Sequence, residues 1–511
     1  MSDLPLEEFE REETLFRLRK DLVQPDALQL IPEIIAREYN IIPLEVCGNV
    51  LVVAMANPTD IIALEALEAQ TQMRIETWPA SIGEIQAAID FNYHSHGEIE
   101  KQISGISLPG ETVIEEITPD TAANAPVGRA ITLIIDEAIK AHASDIHLQP
   151  EEDNLRVRYR IDGSLYDKHN LPLHIAVPLI SRIKILAKMN IADHHRPQDG
   201  QFSVKLKDRP QIDIRVGTIP NVHGEMATLR LLDKTRAIMS LSQLGFLQGS
   251  LAKYEEMIKV PYGMILVTGP TGAGKTTTLY ASLNTIDSKA RNILTVEDPV
   301  EYRFRNINQI QVNPRAGLTF ASGLRSILRL DPDVILVGEI RDTETANIAI
   351  QSALTGHLVL SSIHANNAVG VIYRLLDLGI EPFLIASALI GMVAQRMGRR
   401  ICPDCAHLIN VNPIERTAYH KETGEERREF LYGSGCKSCS DTGYQGRIGF
   451  FEVLRMSEKI KVMLINDASA AQLQTQAVEE GMIPLIKDGM MKVKENITTP
   501  IEVLRNAYSA E

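Results

Sequence analysis

Hydrophobic positions change their period several times along the chain. Leu15, Leu18 and Leu22 share one face of a charged stretch, which predicts a helical arm over the first 25 residues. "LQLIPEIIAREY" continues with helical spacing, and "IIPLEVCGNVLVVAMA" reads as a hairpin turning at Gly48-Asn49. "PTDIIALEALEAQ" opens a capped helix after Pro58, "MRIETWPA" reads as a strand, and "SIGEIQAAIDFNY" as another helix. Together these predict a small α/β unit over residues 1–95. From 96 to 124 the periodicity fades into Gly, Ser, Pro and acidic residues, the composition of a linker.

A second unit is expected over residues 125–235. "PVGRAITLIIDEAIKAHAS" is an amphipathic helix. "LRVRYRIDGSLYD" then alternates, with Leu155, Val157, Tyr159 and Ile161 on one face and Arg156, Arg158 and Arg160 on the other. The arginine face reads as a solvated sheet face. "QIDIRVGTIP" and "EMATLRLLD" extend the sheet, giving an α+β unit. From 240 to 400, short apolar runs alternate with helical patterns: "GMILVTG", "NILTVED", "DVILVGE" and "HLVLSSI". Such runs mark strands of a mostly parallel sheet covered on both faces. A cysteine-bearing insertion over 401–447 and a helical region over 448–511 complete a multidomain α/β reading.

Composition narrows the classes. A chain of 511 residues has room for roughly three or four domains at about 150 residues each. The net charge of −14 disfavours a protein that coats nucleic acid. "MSDLPLEEFEREE" lacks the basic start and apolar core of a secretory signal. The most apolar stretch, "LPLHIAVPLISRIKILAKM", is broken by His174, Arg182 and Lys184, so no membrane span is expected. A cytoplasmic location follows, with any membrane association made through a partner.

"GPTGAGKT" matches the phosphate-binding loop GxxxxGK[ST] in full, after an apolar strand and before a helix. In the loop Gly269-Pro270-Thr271-Gly272-Ala273-Gly274, the backbone N–H groups of every residue but Pro270 would converge on phosphate oxygens at a helix N-terminus. Proline itself contributes only a carbonyl. Lys275 would reach the β- and γ-phosphates of ATP, and Thr276, followed by Thr277, would offer a hydroxyl to Mg²⁺. Acidic candidates stand at two strand ends: Glu297, Asp298 and Glu301 in "LTVEDPVEY", and Glu339 and Asp342 in "ILVGEIRD". Many nucleotide-binding folds place Asp before the glutamate at the Glu339 position, but here Gly338 stands there. His357 and His364 bracket one apolar strand, roughly 20 Å apart if extended, and cannot share one metal.

Of five cysteines, four form the pairs "CPDC" (Cys402, Cys405) and "CKSC" (Cys436, Cys439). Two such knuckles suit tetrahedral Zn²⁺ in a closed, structural site, with redox pairs as the alternative. Cys47 reads as a small semi-buried residue.

With these motifs on view, the chain resembles the type II secretion and type IV pilus assembly ATPases. The match runs from about Pro126 to the C-terminus through "ASDIH", "RIDG", "PQDG", "DIRVGTIPNVHGE", "GPTGAGKTT", "NILTVEDPVEY", "LRLDPDVILVGEIRD", "TGHLVLSSIHANNA" and "GYQGRIGFFEV". The resemblance implies a RecA-like ATPase core behind a PAS-like domain, and a homo-hexameric motor. That motor drives pilus or pseudopilus assembly through an inner-membrane platform protein and an adaptor docking on residues 1–95. It implies Glu297 as the water-activating base, Glu339 as a contact to hydrated Mg²⁺, and His357 and His364 as the histidine box. Arg215 and Arg230, with Arg196 a weaker match, are implied as γ-phosphate sensors. The tetracysteine insertion marks the secretion and extension members. Gln201, Ser322 and Ala365 depart from the family pattern, which leaves position 201 without a phosphate-sensing role. The first unit has "FRLRKDL" and no clear repeat, so no cyclic di-GMP binding is expected there. Two other readings stand beside the motor: a RecA-like nucleic-acid motor, and a nucleotide-gated scaffold without turnover.

Overall fold

The computed structural model describes residues 23–86, 88–89, 93, 126–205, 211–232, 239–286 and 288–507. The expected arm as far as Leu22, with its "FRLRKDL", and the expected linker lie outside the described residues. The rest forms two compact units.

In the first unit, strands β1 (Ile41–Cys47), β2 (Val50–Met55) and β3 (Arg74–Pro79) form a three-stranded sheet in that order. The β1–β2 hairpin turns at Gly48 with φ 63°, and the β2–β3 pair is parallel. Asp60 caps the helix Ile61–Thr71 through the Ala63 N–H, as its position predicts. "LQLIPEIIAREY" is not one helix. It breaks into Pro25–Leu30 and Glu33–Glu38, because Pro32 holds Ile31 in an extended conformation. Cys47 is exposed, not semi-buried, since it sits at the hairpin tip.

The same unit carries a six-stranded antiparallel sheet in the order β6-β5-β4-β9-β8-β7. Its strands are β4 (Ala143–Pro150), β5 (Asn154–Ile161), β6 (Ser164–Pro172), β7 (Gln198–Val204), β8 (Ile212–Asn221) and β9 (Gly224–Leu232). The alternation expected for β5 is realised: Leu155, Val157, Tyr159 and Ile161 are buried against the helices Pro126–Lys140 and Ala176–Leu186. On the other face, Arg156 pairs with Asp167 and Glu151, and Arg158 donates to Gln149.

The second unit is built on a seven-stranded sheet, order β12-β11-β13-β14-β10-β15-β18. The four apolar runs become β10 (Gly263–Thr268), β11 (Ile293–Glu297), β13 (Val334–Val337) and β14 (Leu358–Ile363), each buried along its whole length and each paired in parallel. Three further strands had no such signal. These are β12 (Asn308–Gln311), β15 (Leu389–Ile401) and β18 (Tyr444–Arg455), the last antiparallel to β15. Residues 448–455, expected at the start of a helical region, are therefore strand, and four helices from Glu458 to Ala507 follow them. Between β15 and β18 stand the hairpin β16 (Ala406–Asn410) and β17 (Glu429–Gly433) and the helix Pro413–Thr423. No described helix is long and apolar enough to cross a membrane.

Leu360 lies fully buried in β14, between β13 and β10. Leu360→Ala is expected to cost about 2–5 kcal/mol, read as a lower unfolding midpoint for the transition that carries the seven-stranded sheet. A variant that melts like the wild type would contradict this placement.

Candidate nucleotide site and metal centre

Strand β10 ends in Thr268, and the loop Gly269–Gly274 leads directly into the helix Lys275–Thr285. Gly269, Gly272 and Gly274 have φ values of 151°, 80° and 85°, which side chains rarely adopt. At Gly269 a Cβ would also lie 2.4 Å from the Gln395 carbonyl oxygen on β15. The neighbouring strand thus braces the loop. Gln395, 2% exposed, accepts from Thr278 Oγ1 at 2.7 Å and fixes the first turn of the helix. Lys275 Nζ is folded back onto the carbonyls of Gly269 at 2.6 Å and Pro270 at 3.4 Å. Burial pulls its pKa below the ordinary lysine value, Glu339 opposes that, and Arg396 adds to it. An anionic phosphate would relieve both costs. Thr276 and Thr277 are exposed at the helix start.

Glu339 follows β13 beside this loop. It pairs with Arg341, and His364 Nε2 lies 3.6 Å from its carboxylate. Lys275, Glu339 and His364 therefore gather at the C-terminal edge of the sheet, where ligands of parallel sheets bind. The glycine before Glu339 has a packing reason. A Cβ at Gly338 would meet Phe320 at 3.2 Å and the Glu297 Cα at 3.4 Å, so a side chain there would push the two strand ends apart. Ser361 and Ser362 tie the end of β13 to β14, donating to the carbonyls of Val337 at 2.7 Å and Gly338 at 2.8 Å.

The other expected residues fall elsewhere. Glu297 is 3% exposed at the end of β11. Its carboxylate accepts from Tyr280 Oη, from Thr295 Oγ1 at 2.6 Å and from Gln309 Nε2 at 3.1 Å. Burial and that bond raise the Tyr280 pKa. Glu301, four residues on, is only half-buried, and its backbone N–H donates to the same Tyr280 oxygen at 3.3 Å. Asp342 caps the helix Thr343–Leu354 through the Thr345 N–H. His357 is not brought to the phosphate loop of its own chain. It precedes β14, whose register with β10 places it at the opposite edge of the sheet, where its Nδ1 lies 2.9 Å from the Ser352 carbonyl. In the first unit, Arg215 and Arg230 face each other across β8 and β9, and Arg230 pairs with Asp145 at 2.9 Å. Arg196 is highly exposed near Asp193. Sequence reasoning did not single out Tyr280, Gln395 or Arg396. Their roles rest on partners 17 to 117 residues away, which no local pattern reveals.

The four paired cysteines converge. The sulfurs of Cys402, Cys405, Cys436 and Cys439 all lie within 4.8 Å of one another, with Cys436 and Cys439 at 3.7 Å. Tetrahedral zinc with Zn–S bonds of about 2.3 Å needs sulfurs about 3.8 Å apart. The Cys436 N–H points at Cys439 Sγ at 3.2 Å, a bond that favours a thiolate. The donor set fits Zn²⁺ and leaves no open position, as a structural site requires. Purified protein should carry about one zinc per chain, lost in the double variant Cys402→Ser/Cys405→Ser. Folded wild type without metal would exclude the site.

Comparison with known proteins agrees with this geometry. Residues 120–505 match the family model of the type II/IV secretion system protein, and residues 3–99 match the MshEN domain. The chain is 41% identical over 493 residues to the type IV pilus assembly ATPase PilB of Myxococcus xanthus, covering 95% of this chain and 87% of that one. It is 44% identical over 401 residues to the type II secretion system ATPase E of Vibrio cholerae, covering 78% of this chain and 79% of that one. In fold it is similar to the ATPase DotB of Legionella pneumophila, with a TM-score of 0.55 at 20% identity, over 78% of this chain and 97% of that one. The complete phosphate loop, the carboxylate and histidine beside it and the match along most of the chain together mean that this protein belongs to the type II/IV secretion system protein family and is an ATPase of that family.

Proposed function

We propose that the chain is the cytoplasmic motor of a type II secretion or type IV pilus machine. It would work as a homo-hexamer and reach the inner membrane only through a platform protein and an adaptor. The observation that carries this is the intact phosphate site, with Lys275, Glu339 and His364 gathered on one sheet edge. The relatives named above extend that likeness along almost the whole chain. A complete site argues for turnover, against a scaffold that only binds nucleotide. A chain of net charge −14 offers nucleic acid little attraction.

In the reaction, Lys275 would exchange its two loop carbonyls for phosphate oxygens. Thr276 and, through water, Glu339 would hold Mg²⁺, for which hydroxyl and carboxylate oxygens are the right donors. Bound there, the ion would screen charge on the phosphates. Arg215 and Arg230 would neutralise charge that spreads over the transferred phosphoryl group. The proton acceptor must face the attacking water. Glu297 is buried beneath three donors, so we assign it to holding the acidic segment and place proton acceptance on Glu301.

Three outcomes test this. Lys275→Ala should abolish phosphate release, and a wild type no faster than this variant under assembly-promoting conditions would sink the motor. Glu301→Gln should lower kcat about a hundredfold or more with the unfolding midpoint unchanged, whereas Glu297→Gln should lower both. The reverse pattern would return the base to Glu297. Arg215→Ala and Arg230→Ala should each lower kcat at least about tenfold with little change in KM, and unchanged kcat would remove them from the reaction.

A further inference from the structure

Arg396 follows Gln395 midway along β15, the strand that braces the phosphate loop. Its guanidinium donates to two backbone carbonyls on separate segments, Gln395 at 3.1 Å and Asn366 at 2.7 Å. Asn366 stands two residues after His364. The residue between them, Ala365, is held to the last residue of β10 by bonds in both directions, Thr268 Oγ1 to its carbonyl at 2.9 Å and its N–H to Thr268 Oγ1 at 2.7 Å. The histidine segment is thus fastened at two successive residues to the two strands that flank the phosphate loop.

The choice of side chain is informative. Among the described residues no carboxylate lies within 4 Å of Arg396, although it is half-buried. Burial lowers its pKa, and Glu452 only partly offsets that. An unpaired, part-buried cation costs stability. A fork of fixed donors can join two carbonyls on different segments, which a single ammonium cannot do equally well. The arrangement makes sense where the position of the histidine segment matters more than its stability.

We propose that Arg396 is a positioning residue: it sets His364 against Glu339 and the phosphate loop by clamping the Asn366 carbonyl to the middle of β15. This rests on the reading of His364 as a group acting at the nucleotide phosphates. The test is a double-mutant cycle on the full-length assembled protein, reading ATP turnover, KM and binding of a fluorescent ADP analogue. His364→Ala alone should lower kcat, and if it does not, the reading of His364 fails before Arg396 is considered. Arg396→Gln should lower kcat about tenfold or more with KM and ADP affinity within about threefold. Arg396→Lys should recover part of the loss. In a His364→Ala background, Arg396→Gln should add less than about twofold. Losses that multiply, a weakened ADP affinity at unchanged kcat, or an Arg396→Gln protein as active as wild type would each overturn the proposal. If Arg396→Gln does not fold, the same cycle with Arg396→Lys decides, with a smaller but still non-multiplying loss expected.

Discussion

The hydrogen bond from Tyr280 into the Glu297 carboxylate joins the two halves of the nucleotide site. Tyr280 stands on the helix that the phosphate loop opens, and Glu297 ends the strand that carries the acidic segment. The same phenol oxygen accepts the Glu301 N–H, and its ring packs edge-on against Phe304 at 5.0 Å. One side chain therefore fixes where the phosphate helix and the acidic segment stand relative to each other. A buried carboxylate that accepts three hydrogen bonds is a good anchor, because moving it would orphan three donors.

Close backbone approach is the second constraint, and it explains the sequence oddity beside Glu339. Parallel strands bring β11, β13 and β14 to one edge, where each must turn away without pushing its neighbour aside. Gly338 allows β13 to leave against the Cα of Glu297, and the hydroxyls of Ser361 and Ser362 take up the carbonyls exposed by the turn. An aspartate at 338 would add bulk where the gap is already closed. The glycine is thus a consequence of packing in this sheet. Glu339 remains free to act because its own side chain points to the partly exposed side, toward Arg341 and His364.

Much of this was legible in the residues. The four uninterrupted apolar runs had to be buried strands, and the glycine pattern of the phosphate loop fixed its own backbone. The β5 alternation and the cysteine spacing likewise carried their structure in local order. What stayed hidden depends on contacts distant in sequence. β18 reads as a mixed segment, yet pairs along almost its whole length with β15. Gln395 looks like a polar residue in an apolar stretch, and its amide oxygen finds its donor, Thr278, on a helix far back in the sequence. The resemblance implies Glu297 as the base, and no local pattern announces that Tyr280 and Gln309 cover its carboxylate.

The site also has an electrostatic logic. Lys275 and Arg396 are both part-buried, both have lowered pKa values, and both are bonded mainly to backbone carbonyls. Glu339 is the carboxylate that acts on Lys275, already shared with Arg341 and His364, and Glu452 is the one that acts on Arg396. A ligand that brings several negative oxygens would offset the burial of these two cations. Arg396 differs from Lys275 in having its donors committed to two segments instead of the loop alone. In the role proposed for Arg396, the two cations would divide the work, one exchanging carbonyls for phosphate and the other keeping the histidine segment in place while that exchange occurs.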